Sequence, residues 1–175
     1  MIKVEQKPPL YFLDTFEFPN PYEEFDKDGL AGGSNDLHPQ RLLNGYSKGY
    51  FPWHQSEKSK LFLWYQLHHR MILKTDKVRK TKNLKKKLRS DNWDFSINQK
   101  FDEVIQNCAN IKRPPHMGAG TWINQNFIDA YTNLHKLGFA LSVESYYKGE
   151  LVGGLYGVGM GKYFSGESMF AKKSD

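Results

Sequence analysis

The chain has 175 residues and a mass of 20.4 kDa, room for one ordinary domain or two small ones sharing a core. With 39% hydrophobic, 25% charged and 15% aromatic residues it is neither collagenous nor low-complexity, and it has apolar side chains enough for a core. One cysteine, Cys108, excludes an internal disulfide and a cysteine zinc cage; no apolar run reaches a membrane span, and residues 1–10 are too polar for a signal sequence, so a soluble cytoplasmic protein is expected.

The net charge of +6 is a difference between segments of opposite sign. Residues 1–36 set three lysines against eight acids, a net of −5, whereas residues 70–89 set ten basic residues against Asp76 alone, a net of +9. After the acidic opening, Pro39 suits a first helical position and Gly49 a stop, which predicts a helix over about residues 39–48. Tyr50-Phe-Pro-Trp-His54 then reads as a rigid aromatic turn, because Pro52 fixes its own φ and restrains Phe51. A polar run at residues 55–60 suggests a boundary, giving domains over 1–58 and 59–175, with strands expected at 61–65 and 71–73. Within the basic block, Leu84 and Leu88 share a helical stripe, i and i+4, with lysines around the rest. Such a helix either shows a solvated cationic face or meets a polyanion, whose phosphates relieve the mutual repulsion of the lysines.

Residues 93–97 alternate with period 2, a half-buried strand. Asn98 is expected to cap a helix carrying Phe101, Val104, Ile105 and Cys108 at i, i+3, i+4 and i+7, which makes Cys108 a buried small hydrophobe. Residues 111–120 read as a loop and 124–137 as a second amphipathic helix stopped by Gly138. Three strands follow, over about 139–147, 150–158 and 163–165, the first two joined at Lys148-Gly149. Segregated helices and strands make the class α+β, with a mixed, largely antiparallel sheet.

The glycines at 153, 154, 157, 159 and 161 do not open a helix as a dinucleotide loop must, and close strand packing or a bulge accounts for them better. The six histidines have no metal-ligand spacing, and no GxSxG elbow occurs. Two acids stand inside strands. Glu144 shares a face with Ala140, Ser142 and Tyr146, either as a solvent-facing acid or as a functional one. Glu167, set among aromatics and glycines, could orient or deprotonate an amine.

Taken together, Phe18-Pro-Asn-Pro, Arg41-Leu-Leu, Gly49-Tyr-Phe-Pro-Trp53, Thr121-Trp-Ile123, Leu151-Val-Gly-Gly-Leu-Tyr-Gly-Val158 and Gly166-Glu-Ser-Met-Phe170 stand in one order across nearly the whole chain. They resemble the bacterial leucyl/phenylalanyl-tRNA–protein transferases. The resemblance implies a small N-terminal domain and an acetyltransferase-like (GNAT) domain, incomplete at its C-terminus. It also implies transfer of leucine or phenylalanine from aminoacyl-tRNA to the N-terminal amine of proteins beginning with Arg or Lys, marking them for degradation. By the same resemblance Trp53 and Trp122 hold the 3′-terminal adenosine and Glu144 faces the reacting amine. Phe164, Met169 and Phe170 either line the amino-acid side-chain pocket or are plain core. Arg70, Lys80, Lys82, Lys85, Lys86, Lys87 and Arg89 follow the tRNA backbone. An activated ester needs no metal or redox cofactor, and a monomer off the membrane is expected. Departures are also plain: the family's Asp and Gln of a later strand have no counterpart before residue 175, and Leu141 stands where the family has His. A non-catalytic tRNA-binding module of the same fold is the rival reading, and an acyl-CoA-dependent acetyltransferase a weaker one.

Overall fold

The computed structural model describes residues 11–20, 28–111 and 121–173. They fall into two compact units, Met1–Arg70 and Met71–Asp175, each built on its own four-stranded sheet.

In the first unit β1 (Tyr11–Phe12), β2 (Leu30–Ser34), α1 (Pro39–Ser47), β3 (Phe51–Gln55) and β4 (Phe62–Tyr65) give the sheet order β1-β2-β4-β3. The β1–β2 pair is parallel and the rest antiparallel. Helix α1 starts as its sequence predicts, with Pro39 at the first turn, where its missing N–H costs nothing, and the side chain of His38 accepting from the Gln40 N–H. It buries Leu42, Gly45 and Tyr46, and the Trp64 ring packs so close that a Cβ on Gly45 would lie 2.7 Å from it. Trp64 is fully buried and donates from Nε1 to Ser34 Oγ at 2.8 Å, which satisfies the one polar atom of that ring. Arg41, also buried, donates to the carbonyls of Leu13 and Thr15 and to both carboxylate oxygens of Asp36. One side chain thus fastens the N-terminal segment to the helix.

Three expectations change here. Tyr50-Phe-Pro-Trp-His54 is mostly strand rather than turn: β3 is an edge strand whose register shifts between Pro52 and His54, positions at which the absent N–H of proline is tolerated. The strand at 62–65 exists but lies between β2 and β3, so the first unit runs past residue 58 to Arg70. Residues 71–73 form no strand; Met71 is 100% exposed, so β-propensity there meets no sheet to join.

In the second unit a short 3₁₀ turn (Thr75–Lys77) precedes α2 (Lys82–Lys87), followed by β5 (Trp93–Ile97), α3 (Phe101–Asn110), α4 (Gln125–Lys136), β6 (Ala140–Tyr147), β7 (Glu150–Met160) and β8 (Tyr163–Ala171). The sheet order is β5-β6-β7-β8 and every pairing is antiparallel, so the class is α+β, with the parallel pair in the first unit instead. The Lys148-Gly149 turn has φ of 51° and 83°, the two positive values a two-residue hairpin needs. Helix α3 buries Phe101, Val104, Ile105 and Cys108, and α4 buries Phe127, Tyr131 and Leu134, as their spacing predicts. Both lie on one face of the sheet, where Tyr156 meets Phe101 and Tyr131 edge-on. Gly154 lets α3 sit down on that face: a Cβ there would come within 2.7 Å of Phe170 and 2.9 Å of Val104.

The opposite face of this sheet carries Phe95, Ile97, Val143, Phe164 and Met169, all exposed. Period 2 identified which residues of β5 share a face, but the apolar set points to this open side. Asn98 does not cap α3. With φ of 58° it exchanges hydrogen bonds with the Ser142 backbone, and Lys100 takes the cap position. The loop expected over 111–120 lies, after Ile111, outside the described residues, as does much of the acidic opening.

Candidate functional site

Both strand acids lie in the second unit, and their surroundings differ. Glu144 sits on the helix-covered side of β6 and is 0% exposed. Ser142 Oγ donates to its Oε1 at 2.5 Å, the Lys100 N–H donates to the same oxygen at 3.3 Å, and Ser96 Oγ donates to Oε2. Burial alone would push this carboxyl up, but the bonds from Ser142, Ser96 and the Lys100 and Gln99 backbone outweigh it and hold Glu144 below its ordinary value. The group is therefore an anion fixed at the start of α3, where the helix dipole favours it. Its oxygens are spent on β5, β6 and α3. Glu144 is thus buried among donors from β5, β6 and the start of α3 rather than turned to solvent.

Glu167 is placed otherwise. Tyr156 pairs with Ser168 and Gly157 with Gly166, so Glu167 is the extra residue of a β-bulge in β8. It is half-buried, and the hydroxyl of the buried Tyr131 donates to its Oε2 at 3.4 Å. Bulges re-aim side chains and are frequent beside active sites. A carboxylate steadied by a phenol and partly open to solvent is of the chemical type that engages an amine.

The three residues of the expected side-chain pocket divide. Phe164 and Met169 are 41% and 65% exposed on the open face, alongside Leu155. Phe170 is 4% exposed and packs toward Gly154 and Val104 under α3, so it is core. Met169 lines a groove of about 310 Å³ whose walls include Trp93, Phe95, Val143 and Leu155.

Trp53, in the first unit, is 46% exposed on β3, with Tyr65 edge-on at 5.2 Å and Phe51 at 6.2 Å. The Arg70 guanidinium lies 4.5 Å over Phe51, which puts a cation among these rings. Trp122, in the second unit, is half-buried, perpendicular to Phe127 at 5.1 Å, just before the Asn124 cap of α4.

In the basic block, α2 is six residues long, capped by Thr81, whose Oγ1 accepts from the Leu84 N–H. Leu84 and Leu88 are exposed, so no buried apolar seam forms; the lysines' repulsion and the short helix leave little to dock. Lys82, Lys85, Lys86 and Arg89 border an open basin of about 520 Å³, and Lys80 is exposed nearby in sequence. Among the described residues no group of three His, Cys, Asp or Glu side chains could hold a metal ion.

Residues 72–175 match the family model described as leucyl/phenylalanyl-tRNA protein transferase, and residues 35–67 match the model of that transferase's N-terminal domain. This chain belongs to that family. The break between the two matched stretches falls at the division between the structural units. Similar curated relatives carry the name leucyl/phenylalanyl-tRNA–protein transferase. The relative from Maridesulfovibrio salexigens is 46% identical over 159 residues, 90% of this chain and 64% of the relative. Those from Dechloromonas aromatica and Sulfurimonas denitrificans are 45% and 42% identical, covering 86% and 92% of this chain and 62% and 67% of their own lengths. The chain thus spans somewhat under two thirds of the length of the first of these relatives.

Proposed function

We propose that this chain transfers leucine or phenylalanine from aminoacyl-tRNA to the free N-terminal amine of proteins beginning with Arg or Lys, marking them for degradation. Membership of the transferase family, matched across both units, carries this reading. The lone pair of a neutral amine attacks the ester carbonyl carbon. The tetrahedral oxyanion collapses with loss of the 3′-ribose oxygen, and an amide replaces the ester. The amine's proton ends on that oxygen. Because the ester is already activated, alignment and proton handling are what the protein must add.

Glu167 is the carboxylate assigned to the acceptor amine. It is half-buried at a bulge and bonded to Tyr131 on the helix-covered side, whereas Phe164 and Met169 of the same strand face the open side of the sheet. Glu144 acts through the fold by fixing β5, β6 and α3. Trp53 and Trp122 are assigned to the terminal adenosine, and Arg70, Lys80, Lys82, Lys85, Lys86, Lys87 and Arg89 to phosphates.

Labelled Phe-tRNA incubated with a peptide beginning with Arg tests the reading. Label should enter the peptide, and Glu167→Gln should slow transfer by about 10²-fold or more with tRNA affinity unchanged. Label that stays on tRNA, with salt-sensitive tRNA binding retained, favours the non-catalytic binding module instead.

A further inference from the structure

One end of the second sheet gathers two rings and three ammonium groups, of which Lys87 alone figures in the transfer reading above. Trp93 opens β5 and Tyr147 closes β6, and the two are paired across the ladder with ring centroids 5.2 Å apart, edge to face. Lys87 from α2 places Nζ 4.7 Å over Trp93. Lys148, in the hairpin turn, and Lys173, just past β8, place Nζ 5.8 Å and 3.5 Å from the Tyr147 ring.

Three cations from three parts of the chain thus meet at two half-buried rings. Exposed Asp94 and Glu150 are neighbours in the ladder, yet neither Lys148 nor Lys173 forms an ion pair among the described residues. Cation–π contacts at exposed rings are weak and do not by themselves repay bringing like charges together. A ligand that combined a flat π-face with negative charge would satisfy both halves of the arrangement. The rest of the surface narrows the choice. The groove of about 310 Å³ runs from Lys87, Trp93 and Lys173 along an apolar floor that includes Phe95, Val143 and Leu155. Lys82, Lys85 and Lys86 of the short helix that supplies Lys87, with Arg89 just past its end, border the basin. A phosphate backbone following that helix would deliver its next base at Trp93. An acidic peptide would neutralise the lysines but leave the rings unused.

We propose that Trp93 and Tyr147, with Lys87, Lys148 and Lys173, form a stacking platform for an unpaired base of an RNA partner. The platform rests on the reading that tRNA is a substrate, and is additional to the tryptophans assigned to the terminal adenosine.

The full chain is titrated with a fluorescein-labelled single-stranded RNA of about 12 nucleotides and, separately, with polyglutamate, from about 50 to 200 mM salt. Trp93→Leu, which keeps apolar volume, should weaken RNA binding by roughly 5- to 100-fold with the salt slope intact, and Trp93→Phe should restore most of it. Lys87→Gln, Lys148→Gln and Lys173→Gln together should lower the salt slope by about 2, at 0.7 per phosphate contact. Wild-type RNA affinity in both Trp93→Leu and the triple variant overturns the platform. So does an equal loss for polyglutamate in Trp93→Leu, or a Trp93→Phe variant as weak as Trp93→Leu. Absence of acyl transfer with the platform's RNA dependence intact defeats the proposed activity alone; transfer with no such dependence defeats the platform alone.

Discussion

Replacing Glu144 by Gln separates a positioning role from a catalytic one. The carboxylate accepts from Ser142 Oγ, from Ser96 Oγ and from the Lys100 N–H, in a site with no solvent exposure. An amide keeps one oxygen and turns an N–H₂ toward the other partner. The serine hydroxyls can rotate to meet it, and Ser96 has Tyr146 Oη as a second acceptor at 3.3 Å. The charge is lost from all three bonds, each falling from about 1.5–3 kcal/mol to about 0.5–1.5 kcal/mol, while desolvation of the anion is no longer incurred. A net loss of about 2 kcal/mol follows, which for a chain of this size lowers the melting temperature by roughly 4–8 °C. The pH dependence carries the sign. The folded-state pKa of Glu144 lies below its ordinary 4.5, so its contribution is complete above that value and disappears as pH falls through the folded pKa. The gap between wild type and Glu144→Gln, measured by urea unfolding with tryptophan fluorescence, should be constant from about pH 6 to 8 and close in acid. A variant as stable as wild type at pH 7 refutes the argument. One that folds normally yet loses all transfer would return Glu144 to the reaction itself.

Arg41→Gln should destabilise the first unit by about 2–4 kcal/mol, since it leaves the carbonyls of Leu13 and Thr15 without their donor and takes the guanidinium from Asp36, which keeps the His38 N–H; thermal unfolding followed by tryptophan emission reads this. Gly154→Ala should cost about 1–3 kcal/mol by pushing Phe170 and Val104 apart, seen as a lower urea midpoint with unchanged m-value. Lys82→Glu, Lys85→Glu and Lys86→Glu together should weaken tRNA binding by at least about tenfold at 100 mM salt and flatten its salt dependence; filter binding at two salt concentrations tests both.

Much of the second unit was legible because local chemistry and tertiary packing agree there. The i, i+3, i+4, i+7 run from Phe101 to Cys108 is the buried stripe of α3, and Lys148-Gly149 is the hairpin turn. What periodicity cannot supply is which of two faces becomes covered. On β5 and β6 the polar set, Ser96, Ser142 and Glu144, is inside, because the start of α3 and neighbouring hydroxyls satisfy it, and the apolar set Phe95, Ile97 and Val143 is outside. Alternation along β6 left open whether Glu144 faces solvent, and it is inside. The bulge at Glu167 exists only relative to β7, so no pattern within β8 announces it. The same holds for Trp93, Tyr147 and their lysines, which are far apart in sequence and meet only through strand register. Residues 71–73 failed for a different reason: strand propensity is realised only against a partner edge.

The sheet order of the first unit sets a schedule for its assembly during synthesis. β4 is the last of its strands to be made, yet it lies between β2 and β3 and brings Trp64 to the centre of the core. Until Phe62–Tyr65 has left the ribosome, β3 has no sheet to join and α1, already beside the Phe18 ring, lacks the Trp64 ring. At about 5–20 residues per second the waiting time is a few seconds, during which the first sixty residues are an unfinished surface that β4 closes in one step.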